Sequence, residues 1–248
     1  MTKASQRAQI TYQSIRQAII EQTLVPGTKL LQDEIGAHFG VSRTLVRAAL
    51  AQLQTEGLVE AQPNRSAKVA QPTLEEAKEI FALRRILERE AVRLVAECWR
   101  PEFGATLEEL VREEEAARTA RNDRVSIRLA GDFHIKLAAL AGNSLVRRYL
   151  AELVSRCSLI LATYGRPHSS ECAIAEHHEI IDALRRGDKV GAIDMMDKHV
   201  ESVERRALLA GEPSAESGLG TLLSRYTAAT EAHPAAARPL KPKRNANR

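Results

Sequence analysis

From residue 73 to about 210, apolar residues recur every three or four positions, and five short turn sequences interrupt the recurrence: "WRPEFG", "ARND", "AGNS", "YGRPHSS" and "RRGD". Five breaks leave six helical stretches of roughly 15 to 25 residues, and joints this short return each helix beside its neighbour. The last joint is the most readable: Arg185 and Arg186 suit a helix C-terminus, Gly187 supplies the residue after it, and Asp188 caps the next helix. An antiparallel helical bundle is therefore expected. Aromatic residues make up only 4% while Ala, Leu, Glu and Arg abound, which disfavours a sandwich or barrel.

The N-terminal part has different punctuation. Residues 8–22, with Ile15 and Ile19 on one face, read as a helix closed by the turn "VPGTKL", and a short helix follows at about 32–39. In "FGVSRTLVRAALAQLQTEG", Gly40 makes a turn and Ser42 caps a helix that buries Val46, Leu50 and Leu53 and stops at Gly57. This is a helix-turn-helix pattern. Two β-prone runs, "GLVEA" and "AKVA", flank "QPNRS" and read as a small hairpin, a wing. "QPTLEEAKEI" then offers Thr73 as an N-cap with acidic residues in the first turn, so a boundary is expected near residue 71. The expected fold is mainly α: a winged helix-turn-helix DNA-binding domain over 1–71, a helical effector-binding and dimerisation domain over 73–211, and a basic, Pro- and Ala-rich tail over 212–248. The tail is expected to be disordered apart from room for a short helix at 217–230.

Charge follows the same division. Residues 1–72 carry 8 Lys and Arg against 5 Asp and Glu, residues 73–211 carry 22 against 24, and the tail carries 6 against 3. Basic ends around an acidic middle suit a nucleic-acid module attached to a helical domain. No apolar run approaches a membrane span and the start lacks a secretory core, so a cytoplasmic protein is expected. Cys98, Cys157 and Cys172, widely spaced and odd in number, are expected to be buried small hydrophobes rather than a disulfide framework.

Three helices each turn one imidazole inward. His134 lies in line with Ile127, Ala130, Leu137 and Ala141; His177 with Ala173, Ile174, Ile180, Ile181 and Leu184; His199 with Met195, Met196 and Val203. A single buried His is usually a satisfied core residue. Three on facing helices would be satisfied together by a divalent metal, with zinc, nickel or iron favoured by the ligand type. Arg84, in line with Ile80, Leu87 and Ala91, is a fourth inward polar residue and needs a carboxylate from the protein or from a ligand. In the recognition helix Arg43, Thr44 and Arg47 face away from the apolar stripe, where they could meet DNA.

The run "GTKLLQDEIGAHFGVSRTLVRAALAQLQTEGLVEAQPNRSAKV" resembles the winged-helix domain of GntR-family transcriptional regulators. "LRRILEREAVRLVAE", "DFHIKLAALAGNSL" and "EHHEIIDALRRGDKVGAIDMMDKHV" resemble the FCD effector domain of its FadR subfamily. Together they cover about residues 8–205. The resemblance implies a homodimeric repressor that binds an operator, is not an enzyme, and changes operator affinity when a small carboxylate effector binds. It implies DNA contacts from Ser42, Arg43, Thr44, Arg47 and, at the wing tip, Arg65. It likewise implies a metal on His134, His177 and His199, and effector-carboxylate binding by Arg84, which opens the R-x-x-L-E motif ending at Glu88. Three departures stand out: Asp33 where the family often has Arg; Asn64, Arg65 and Ser66 where it often has Gly-Arg-Gly; and Ala130 where it usually has an Asp or Asn metal ligand. Asp132, about 200° around the helix from His134, should face away. Two rival readings are a metal-dependent hydrolase, disfavoured because no inward general base is evident near the histidines, and an architectural DNA-binding protein without an effector.

Overall fold

Left-handed backbone at Gly40 (φ 62°) separates α2 (Gln32–Phe39) from α3 (Arg43–Thr55), and Ser42 Oγ opens α3 by accepting the Leu45 N–H at 3.4 Å. The turn between them is tight, since a Cβ on Gly36 would lie 3.0 Å from the Val41 carbonyl oxygen. The computed structural model describes residues 3–61, 66–164 and 170–208. Within it α1 (Lys3–Ile20) packs on α3, starting earlier than the apolar pattern predicts. Val46, Leu50 and Leu53 of α3 share one core with Ile15, Ile19, Ile35 and Phe39, and α3 gives way to Gly57 at φ 71°.

The wing is a three-stranded antiparallel sheet, β1 (Lys29–Leu30), β2 (Val59–Glu60) and β3 (Ala67–Val69), in the order β1-β3-β2 with Leu30 opposite Ala67 and Val59 opposite Val69. The segment "VPGTKL", expected to be a turn alone, is not entirely one. Its last two residues are a strand, held by the fully buried Leu30, and two residues are too few to show alternation. The wing tip, including Asn64 and Arg65, lies outside the described residues, as does everything from 209 onward.

Beyond Pro72 come α4 (Leu74–Glu97), α5 (Pro101–Thr119), α6 (Asp123–Leu140), α7 (Ser144–Tyr164), α8 (Ser170–Arg185) and α9 (Lys189–Leu208). α4 packs against α6, α7 and α9, and α5 against α6 and α8, around a core that includes Phe81, Val92, Leu107, Phe133, Leu150 and Met196. α4 begins with a capping box: Thr73 Oγ accepts from the Glu76 N–H at 3.1 Å, and Glu76 Oε2 accepts from the Thr73 N–H at 2.8 Å. Thr73→Ala should lower unfolding free energy by about 1 kcal/mol, seen as an earlier urea midpoint with an unchanged slope. Asp188 caps α9 through the Gly191 N–H at 2.8 Å.

The two parts touch through α7. Leu159 is fully buried within the N-terminal core, Arg16 bridges Glu56 (3.1 Å) and Ser155 (2.6 Å), and Arg128 of α6 reaches Glu21 at 3.1 Å. Gln22 donates to the Ser158 carbonyl at 3.3 Å, and the Tyr164 hydroxyl to the Pro72 carbonyl at 2.9 Å. Among the described residues no helix is long and apolar enough to cross a membrane. Cys157 is buried as expected, but Cys98 is exposed, because it follows the last turn of α4 as its C-cap and no longer shares the helix phase. The side chain of Cys172 lies outside the described residues.

Candidate functional site

The three histidines meet. His134 from α6, His177 from α8 and His199 from α9 are all buried, and one ligand atom from each lies within 4.8 Å of the others. Phe133 stacks on His177 with centroids 4.0 Å apart and rings 21° from parallel, which fixes the imidazole plane.

Each imidazole turns its Nδ1 toward a carboxylate. His177 Nδ1 lies 3.2 Å from Glu114 of α5, and His199 Nδ1 lies 2.7 Å from Glu176 of α8. His134 Nδ1 lies 2.8 Å from Glu88 of α4, at ion-pair distance but without hydrogen-bond alignment. For His177 and His199 the hydrogen-bonded carboxylate on Nδ1 selects the tautomer that leaves Nε2 as a lone pair; the unaligned Glu88 does not make that selection for His134. The Nε2 atoms of His134 and His199 face each other at 3.1 Å, close enough to share one proton or one cation, and among the described residues the buried Nε2 of His177 has no hydrogen-bond partner. Converging lone pairs repel unless a cation or proton lies among them, so the donor set fits a divalent metal. Burial, with Arg84 and His177 nearby, holds His134 well below the usual imidazole range. Burial and the other two imidazoles do the same to His199, so both are neutral and ready to ligate at neutral pH.

These carboxylates stand where the residue pattern predicts no inward acid near the histidines. That reading is corrected: Glu88 and Glu114 are fully or almost fully buried, and Glu176 is partly so. Glu114 sits in "REEEAAR", which looks like a solvated charge run, yet it continues the Leu107 and Val111 stripe at spacings of four and three. Its helical phase was the available signal. Ala130, at the position of the family's acidic ligand, lines the cavity beside the histidines; Asp132, expected to face away, lines the same cavity, half-buried and paired with Arg128 at 2.8 Å, but is not one of the three residues whose ligand atoms converge.

That cavity, about 880 Å³, has the three histidines in its wall together with Ser126, whose buried hydroxyl has no partner among the described residues. It extends to Ile20 and Gln22 at the end of α1, and Arg118, Arg121, Arg128 and Arg206 contribute positive charge. Arg84 also lines it, but its Nε donates to Glu88 at 3.1 Å, one helical turn along. Burial pushes the Glu88 carboxyl up, against the pull of Arg84.

In the N-terminal part, Ser42, Arg43, Thr44 and Arg47 are all exposed on the first turns of α3, forming one polar surface. Ser42 also serves as the N-cap, and Arg43 is paired with Asp33 of α2. Arg65 lies outside the described residues.

Residues 7–69 match the family model for bacterial regulatory proteins, gntR family, and residues 79–202 match the FCD domain. The chain is 28% identical over 185 residues to the uncharacterized HTH-type transcriptional regulator YdhC of Bacillus subtilis (strain 168), covering 73% of this chain and 82% of that protein. It is 22% identical over 193 residues to the HTH-type transcriptional repressor RspR of Escherichia coli (strain K12), covering 77% and 85%. A crystal structure of a putative transcriptional regulator GntR from Rhodococcus sp. RHA1 superposes with a TM-score of 0.73 at 25% identity, over 82% of this chain and 97% of that one. E. coli McbR/YncC gives 0.71 at 21% identity, over 81% and 95%.

Proposed function

Since the chain belongs to the GntR family of bacterial transcriptional regulators and carries an FCD domain, proteins that act by binding DNA and not by catalysis, we propose that it is a metal-dependent, carboxylate-responsive repressor. The observation that carries the effector reading is the cavity whose wall holds three carboxylate-backed imidazoles and whose far end reaches α1. His134, His177 and His199 would hold the ion. With Ala130 offering no fourth ligand, positions stay open for water or effector oxygens. The bound ion supplies charge attraction for a carboxylate.

Around it the protein provides the rest. Ser126 offers a hydroxyl with no partner among the described residues, Ile127, Ile135 and Val203 offer apolar wall, and Arg84 keeps a place as a second carboxylate anchor while orienting Glu88. In the head, Ser42, Arg43, Thr44 and Arg47 face DNA, with Arg65 at the wing tip. We take residues 1–71 as the DNA-binding unit and 73–211 as the effector and dimerisation unit, working in the cytoplasm. A homodimer fits a helix-turn-helix that reads two half-sites. Repression accords with the repressor named RspR among the relatives.

The test uses full-length protein and a duplex selected by it from a randomised library, with a panel of small carboxylates, metal-loaded and chelated. One carboxylate is expected to shift duplex affinity about 5- to 150-fold when metal is present and to lose that effect on chelation. A shift that survives chelation would transfer the anchor to Arg84. No shift from any compound would leave a DNA-binding protein without an effector.

A further inference from the structure

Asp33, in the first turn of α2, grips Arg43, the first residue of α3, at two points: Nε donates to Oδ1 and Nη2 to Oδ2. Both side chains are open to solvent, at 72% for Arg43 and 66% for Asp33, so the pair adds little to stability and its place on the exposed face of α3 calls for another explanation. Two-point pairing fixes the plane of a guanidinium that would otherwise sample many rotamers. It also divides the donors. Arg has five N–H groups; the side-on pair is used by Asp33, and the end-on pair, on Nη1 and the outer Nη2 hydrogen, stays available.

An end-on pair of parallel N–H groups matches the O6 and N7 acceptors that guanine presents in the major groove. A phosphate is also a two-acceptor partner, but it would bring a negative charge toward the Asp33 carboxylate, whereas a base edge carries none. Arg47, one turn further along the same face, has no acidic partner among the described residues and keeps the freedom to meet a phosphate.

We propose that Asp33 is a specificity-determining residue, holding the Arg43 guanidinium with its end-on edge outward so that it reads a guanine and not the backbone. This rests on the reading of α3 as the DNA-facing helix.

The experiment enriches duplexes from a randomised library with the full-length wild-type protein, then measures its affinity, and that of Asp33→Ala, Asp33→Asn and Arg43→Ala, for the enriched duplex with each base pair replaced in turn. Replacing one guanine, or exchanging it for 7-deazaguanine, is expected to weaken wild-type binding about tenfold or more. Arg43→Ala should erase that preference. Asp33→Ala should erase it too, to within about threefold, while its melting temperature stays near wild type and its affinity for unrelated duplex holds or rises; Asp33→Asn should fall between. If Asp33→Ala keeps the full guanine preference, or weakens all duplexes equally, the clamp proposal is overturned while α3 keeps its role. If Arg43→Ala leaves every position's preference unchanged, the proposal also falls. If the wild type enriches no sequence, the DNA-facing reading of α3 itself fails.

Discussion

Zinc or nickel added to chelated protein is expected to raise its melting temperature, and His177→Ala is expected to remove that rise. A ligand that binds only the folded state stabilises it by RT ln(1 + [L]/Kd), about 2.7 kcal/mol at one hundred times Kd. For a chain of this size that corresponds to roughly 5–10 °C. His177 is the sharpest place to intervene, because its buried Nε2 has no partner among the described residues and its Nδ1 faces Glu114 at 3.2 Å. Its removal also leaves Glu114 buried and unpaired, so the variant will start from a lower baseline. The comparison is therefore made within each protein, with and without the ion. Glu114→Gln keeps an acceptor for Nδ1 but removes the charge behind it, and should weaken metal binding by about 10- to 100-fold without abolishing it. A rise that persists undiminished in His177→Ala would place the ion elsewhere.

Phe133→Ala should cost about 3–5 kcal/mol of unfolding free energy, the range for deleting a fully buried aromatic ring whose surroundings collapse only in part. The ring lies in the main core and also presses on two of the histidines, stacked on His177 at 4.0 Å and edge-on to His134 at 5.4 Å. Core stability and imidazole orientation thus depend on one side chain. Phe133→Leu separates them: much of the buried volume returns, so the loss should fall well below that of the alanine variant, while the stack on His177 is still missing and metal affinity should still drop. Urea midpoints together with metal titrations of both variants check this. If the leucine variant binds metal like wild type, the stack does not orient His177.

Much of this arrangement can be read from residue order. The caps at Ser42, Thr73 and Asp188 sit where hydrogen-bond chemistry places them, and the inward phase of the three histidines follows from their apolar neighbours at spacings of three, four and seven. Two kinds of feature were harder to see. Glu114 stands beside other charged residues, and composition reads such a run as surface; only its phase relative to Leu107 and Val111 marks it as inward, whereas Glu176, next to His177 in sequence and partly exposed, carries no such mark. The pairing of Arg84 with Glu88 was one of two outcomes open to a buried guanidinium, and packing decides between them. Strand β1, at two residues, has no periodicity of its own and exists because β3 supplies its hydrogen bonds.

Leu159 belongs to α7, yet it is wholly buried among apolar residues that otherwise come from positions 15–70. A head severed at residue 71 would carry a hole where that side chain sat. This head is consequently not a free-standing part: moved to another body, it would need a leucine-sized plug at the same place. A change of size at residue 159 in the one half is therefore felt as a packing change in the other.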